Sequence, residues 1–434
     1  MANPIKNSQR TFTLIFLLGI GLIILMPVSK SRQTLLPAVQ RVEAMSSFNV
    51  NSTLDERDAS LIDGICLSYP SNVCTLRAAI DQATFNIGPD TIYLQENQTY
   101  KLTLVGIDDS NTAGDLDIHS DMTIEVANGG KATIDGNGTM LNDHVFDIVQ
   151  GSVTMSGLVI RNGTRGGIYN YSTLTLQDVS VQDNFGTGCG TNIHGGINNH
   201  GYLKMYRTTV SGNTGYFGGG IFNVGTLLAV NSTVSGNSAF TSGGGIANHD
   251  YGLGGGLGQM TLLNTTITLN KANICNIGGS GGGIFNQVQG GLKLGNTIVA
   301  NNKRGLIFPI DDDCNGSFYA YGFNLVEVIT GCHVENVAAG EILGIDPVLG
   351  PLQDNGGLTA THALLLGSPA IDSGSVAGCQ DELGNQLSID QRGINRHLNG
   401  GSGVARCDIG AYEYGVVMPP PGGTFASFIP FVSR

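Results

Sequence analysis

The sequence predicts an all-β protein: a single right-handed parallel β-helix with a short N-terminal capping helix and a C-terminal closing domain. Three observations carry that expectation. A glycine-rich unit leading into Ile-x-Asn recurs through the middle of the chain. Each unit continues into short β-branched runs broken by Gly and Asn, not into helix-forming residues. The spacing is that of a stack whose units bury their cores on one another.

The units are explicit. "GGIYNYSTLTLQDVSVQDN" starts at Gly166, "GGINNHGYLKMYRTTVSGN" at Gly195 and "GGGIFNVGTLLAVNSTVSGN" at Gly218. Two more start at Gly243 and Gly281. Their isoleucines are Ile168, Ile197, Ile221, Ile246 and Ile284, in steps of 29, 24, 25 and 38 residues. Asn170, Asn199, Asn223, Asn248 and Asn286 follow two residues later. In a β-helix each coil rises by ~4.8 Å, the spacing between strands. The isoleucines then stack inside, and the asparagines stack at a bend as an amide ladder. The glycines are expected to supply turn geometries closed to other residues.

Flanking segments follow from the same logic. Leu76, Ala79, Ile80 and Ala83 share one face of a short helix that Thr75 can cap. Such a helix covers the open apolar end of a solenoid. Residues 1–44 read as an export signal or N-terminal anchor, 45–65 as a linker and 66–99 as the N-terminal cap. Residues 100–305 read as the β-helix, 306–344 as irregular last coils, 345–414 as the C-terminal domain and 415–434 as a Pro/Gly linker and tail. The export reading rests on Lys6 and Arg10 ahead of an apolar run from Thr11 to Val28.

Charge and cysteine content narrow the function classes. Beyond residue 44 the chain holds 16 basic and 33 acidic residues, a net charge of −17. That argues against nucleic acid and anionic membrane surfaces as partners. Any membrane contact is expected through the N-terminal segment alone, and a monomer is expected. Eight cysteines behind an export signal favour disulfides. Cys66–Cys74, Cys314–Cys332 and Cys379–Cys407 are close in sequence. Cys189 and Cys275 each lie five residues after a coil-ending asparagine, Asn184 and Asn270, three coils apart. Straight loops would leave them ~14 Å apart. Both loops are longer than the two turns between them, so they can lean together into a clasp.

Two end segments carry a resemblance. "CTLRAAIDQA" with "DTIYL" resembles the CSLREA-type N-terminal region of bacterial surface proteins. "GPLQDNGGLTATHALLLGSPAID", "DQRG" and "CDIGAYE" resemble the choice-of-anchor Q domain. The middle units are similar to polymorphic outer-membrane-protein repeats. The resemblance implies an exported bacterial protein with a pectin-lyase-like fold, located outside the cell or at its surface. It implies no particular reaction.

Candidate chemistry is sparse. Between Gly166 and Gly305 the acidic residues are Asp178, Asp183 and Asp250. A hydrolase needs paired carboxylates, and a calcium-dependent lyase needs Asp on adjacent coils plus a basic residue. The repeats offer neither, so no catalytic or metal residue is assigned and no cofactor is expected. Two acidic runs, Asp311 to Gly316 and Asp108 to Ile118, could hold calcium, but a solvated turn is the better reading of each. Asp372, Asp390, Arg392, Arg396, Asp408 and Glu413 form the densest charge group, read as a polar network closing the C-terminal end. Tyr171, His200, His249 and Tyr251 offer stacking faces just outside a bend and are the candidate ligand-binding residues. The function expected is a non-enzymatic cell-surface adhesin or wall-associated module that binds polysaccharide or cell-surface glycans. The alternative is a lyase or glycoside hydrolase acting on uronic-acid-rich polymers.

Overall fold

The computed structural model describes residues 45–415 apart from 87, 139–141, 187, 191–192, 251–257, 397, 399 and 401–405. The apolar N-terminal run and the C-terminal tail therefore lie outside the described residues. Among the described residues no helix is long and apolar enough to cross a membrane.

The chain forms a parallel β-helix with three faces. Face one is built from triplets such as Ile168–Asn170, Ile197–Asn199, Ile221–Asn223, Ile246–Asn248 and Ile284–Asn286. Face two holds five-residue strands such as Thr173–Gln177, Tyr202–Tyr206 and Thr226–Val230, and joins face one in a single 18-stranded sheet. Face three is a separate 10-stranded sheet that includes Ser180–Gln182, Thr209–Ser211 and Thr233–Ser235.

The expected register holds. Ile168, Ile197, Ile221, Ile246 and Ile284 pair successively in parallel, as do Asn170, Asn199, Asn223, Asn248 and Asn286. All five isoleucines are fully buried. Each such side chain is worth about 1.5–3 kcal/mol in burial. The asparagine amides bond coil to coil, each Nδ2 donating to the next Oδ1 at 2.7–2.8 Å.

A second ladder runs along the bend that leaves face three. Asn184, Asn213, Asn237, Asn270 and Asn302 repeat the same donation at 2.9–3.0 Å, and each backbone N–H also donates to the next Oδ1. Asp313 ends it by accepting from the N–H and Nδ2 of Asn302. A carboxylate can accept but not donate, so the ladder stops there. The "DDDCNG" run is thus not simply a solvated turn: Asp313 is fully buried.

This ladder explains the glycine before each isoleucine. A Cβ on Gly220 would sit 2.7 Å from the Gly245 carbonyl oxygen and 2.9 Å from the Asn237 amide nitrogen. Gly167, Gly196, Gly245 and Gly283 meet the same obstruction. At these positions close approach selects glycine, where the sequence suggested turn geometry. Positive φ is met by the first glycine of four runs, Gly166, Gly218, Gly243 and Gly281 (φ 59° to 124°), as the sequence suggested, and by Asn231, Asn264 and Asn296 (φ 48° to 51°) at the bend between faces two and three.

The ends differ from expectation in two places. Residues 45–65 were expected to be a linker. Instead Ser47–Asn49 pairs in parallel with Thr91–Tyr93 and buries Phe48. Asp55 is buried where it accepts from Arg77 Nε at 2.7 Å. Arg77 lies on the helix Leu76–Phe85, whose N-cap Thr75 accepts from the Ala78 N–H. The second difference concerns the C-terminal segment, which runs back along the flank of face three. Asn231, Asn264 and Asn296 donate to the carbonyls of Ile389, Gln380 and Asp408. Gln391 bonds Thr209, Thr233 and Thr359 within 2.9 Å. The polar outer surface of face three, rich in Thr and Ser, is what this segment binds.

Four disulfides join Cys66–Cys74, Cys189–Cys275, Cys314–Cys332 and Cys379–Cys407. Cys189 and Cys275 have Cα atoms 5.9 Å apart, within bridging range. Peptide mapping of the non-reduced protein is expected to recover a crosslinked Cys189–Cys275 peptide. Recovery of both as alkylatable thiols contradicts the clasp.

Candidate functional site

Face one places its middle residue outward, and the register aligns these residues along the axis. The column reads Asp117, Asp147, Tyr169, Asn198, Phe222, Ala247 and Phe285. Two chemistries follow from it: an aromatic stripe over the repeats and an acidic cluster on the two coils before them.

The stripe is built from side chains of the outward column and of the turn next to it. Tyr169 stacks on Tyr171 and on His200, with ring centroids 4.5 and 5.2 Å apart. The Tyr169 hydroxyl and His200 Nε2 share a hydrogen bond of 3.1 Å. His194 stacks flat on Phe222 at 3.8 Å. His249 contacts Phe217, Phe222 and Phe285 at 4.7–5.4 Å. Tyr171 is half-exposed, while Tyr169, His200, His249 and Phe285 are partly exposed. Three of the four candidate ligand-binding residues thus belong to one run of rings. Tyr251 lies outside the described residues. Sequence reasoning missed Tyr169, His194, Phe217 and Phe222. Tyr169, Phe222 and Phe285 were detectable as the x of Ile-x-Asn, read as an outward column.

Burial of the ring lowers the His194 pKa to about 4, from an ordinary 6.5. Burial also lowers His200 and His249. These rings are therefore neutral and apolar-faced at neutral pH.

The acidic cluster departs from the solvated turn expected for Asp108 to Ile118. Asp115, Asp117 and Asp143 are at most 3% exposed. Asp117 pairs in register with Asp147 on the next coil. One oxygen of each of two carboxylates is oriented by the chain: Asp117 Oδ2 accepts from the Asn111 N–H at 2.7 Å, and Asp143 Oδ1 from the His144 N–H at 3.0 Å. His144 Nδ1 stands 3.5 Å from Asp143 and 3.7 Å from Asp115. The His144 ring meets Tyr169 edge-on at 5.2 Å, so cluster and stripe adjoin. Burial, then the neighbouring carboxylates, push Asp115 up to about 10. Burial is also the main cause that raises Asp117 to about 8 and Asp147 to about 6.

The C-terminal charge group is paired internally apart from Arg396 Nε, which is buried without a partner. Arg392 pairs with Asp390 at 2.7 Å, Arg396 with Glu413 at 3.4 Å and with Asn231 at 2.6 Å. Asp408 accepts from the N–H groups of Asp372 and Tyr414. This is a structural network that fastens the returning segment to the helix. A cleft of about 410 Å³ lies between that segment and face two, near Lys293, Tyr321, Asp381 and Glu382. It is lined by neither the stripe nor the acidic cluster.

No family model matches the chain, and no curated protein matches its sequence. Among solved structures, its fold is similar to that in the crystal structure of pectate lyase Pel9A. The two share 14% identity over 85% of this chain and 96% of that one, with a TM-score of 0.47. That likeness concerns the course of the chain and not its chemistry.

His194 generates a pH prediction. Its folded pKa lies below the unfolded value, so the unfolded chain holds the extra proton between pH 6.5 and about 4. Stability is lost as pH falls through that window, by about 3 kcal/mol below it. Denaturant melts at neutral and mildly acidic pH are expected to show a smaller acid loss in His194→Gln than in the wild type. Equal losses contradict the assignment.

Proposed function

We propose that the chain is an exported, non-enzymatic cell-surface protein that binds glycans along the outer side of face one. The run of rings from Tyr169 to Phe285, joined through the buried Phe222, carries this reading. Sugar rings present apolar C–H faces, and partly exposed aromatic rings in a row offer them stacking surfaces. The exposed and partly exposed rings, Tyr169, Tyr171, His200, His249 and Phe285, lie on coils on either side of the buried Phe222, a spread that suits an extended chain more than a compact ligand. Four disulfides fit an oxidising compartment outside the cytoplasm. The end motifs, through their resemblance to anchored surface proteins, support the same location.

The enzymatic alternative, a lyase or hydrolase on uronic-acid-rich polymers, gains the acidic cluster on adjacent coils. It needs a base that reaches a sugar, and His144, the basic group within the cluster, turns Nδ1 toward Asp143 and Asp115 at 3.5 and 3.7 Å. The arginine that meets the cluster, Arg77, is fully buried and donates to Asp55, Asn111 and two backbone carbonyls. It is a structural group, not one free to take a proton from a sugar.

A panel of plant, algal and bacterial polysaccharides separates the readings. Retention in affinity electrophoresis is expected without new reducing ends or unsaturated products. Tyr171→Ala is expected to weaken retention roughly tenfold, about the 1.4 kcal/mol of one lost stacking partner. Product release, or retention indifferent to Tyr171, contradicts the proposal.

A further inference from the structure

We propose that Asp115 and Asp117 on one coil and Asp143 and Asp147 on the next, with Asp109 at the mouth, form a binding centre for a hard divalent cation of the calcium class. Each of the four interior carboxylates has one buried oxygen without a hydrogen-bond partner: Asp115 Oδ1, Asp117 Oδ1, Asp143 Oδ2 and Asp147 Oδ1. The donor atoms fall into two groups of three. One atom from each of Asp109, Asp117 and Asp147 falls within 4.8 Å of the others, and so do atoms from Asp115, Asp143 and His144.

The contrast with the C-terminal network makes the point. There Asp390 is bonded through both oxygens, by Arg392 and by the N–H groups of Ile394 and Glu413. Glu413 is likewise engaged through both, by Leu398, Asp408 and Arg396. In that network the chain supplies donors to both oxygens of each of these two carboxylates; Asp90 and Glu341 elsewhere leave one buried oxygen over, but singly and not as a group. In the acidic cluster the chain orients Asp117 and Asp143 through one oxygen and leaves the other over. Unpaired buried carboxylates are costly unless a cation meets them. The all-oxygen group, Asp109, Asp117 and Asp147, suits calcium, which takes six to eight oxygens and tolerates irregular geometry, while the other group includes the His144 ring. Asp109 lies on the exposed part of the 104–114 segment and Asp117 and Asp147 on face one, so an ion there ties that segment to two coils.

The site goes beyond the glycan reading and stands without it. Its position against His144 and Tyr169 places it at the head of the ring stripe.

The test uses the full exported protein, stripped with a chelator, and calcium chloride as the probe. Calorimetry is expected to show saturable binding of at least one calcium per chain, with a rise in melting temperature in millimolar calcium. Asp117→Asn/Asp147→Asn keeps the shapes and removes two charges. It is expected to weaken calcium binding at least tenfold and to melt higher than the wild type in chelator. Asp311→Asn, on the exposed acidic run at the far end, is expected to leave both readouts unchanged. A merely structural cluster gives the opposite sign: the double variant melts lower in chelator. That result, or no calcium binding by the wild type at pH 8, overturns the proposal. Equal loss of binding in Asp311→Asn overturns the location.

Discussion

The structure depends on one interaction, the in-register hydrogen bond between asparagine amides of successive coils. An amide is both donor and acceptor, so a column of identical residues satisfies itself without other partners. Two such columns run at the bends that end face one and face three in each coil. They lie buried, where an unpaired amide costs about 1–3 kcal/mol. A coil displaced by one residue would break both ladders and turn the core isoleucines outward. Register is therefore specified at the turn and in the core by different residues. The glycine before each isoleucine belongs to the same device, since it lets the amide and the next coil's carbonyl approach.

Register in turn builds the outer surface. Once the Ile-x-Asn triplets are aligned, their middle residues must form a line. Where those residues are aromatic, a stripe results; where they are aspartates, an acidic centre results. The stripe and the cluster are parts of one column that changes chemistry at Tyr169. The returning C-terminal segment uses another consequence of register, the column of positive-φ asparagines, whose side chains hold its backbone.

The repeat's own residues made the coil order legible. Ile168 to Asn286 spell the inner and turn columns directly, and the cysteine-bearing loops differ visibly in length from the turns between them. The acidic cluster was hidden because its coils lack the glycine pair and carry Ile118 and Ile148 where the ladder has asparagine. Aligning Leu116-Asp117-Ile118 with Phe146-Asp147-Ile148 and Ile168-Tyr169-Asn170 would have exposed it. The role of Ser47–Asn49 and the flank docking of Gln391 were not legible, because both depend on partners 44 to 182 residues away. No local pattern encodes such contacts.

The ladders couple neighbouring coils energetically. A double-mutant cycle on Asn213→Ala and Asn237→Ala measures that coupling, using denaturant unfolding of the disulfide-intact protein. Asn213 donates its amide and its backbone N–H to Asn237 Oδ1, both at 3.0 Å. The account predicts a coupling of about 1–3 kcal/mol, the double variant losing less than the sum of the singles. Additive losses, with each asparagine contributing independently of its neighbour, would contradict it.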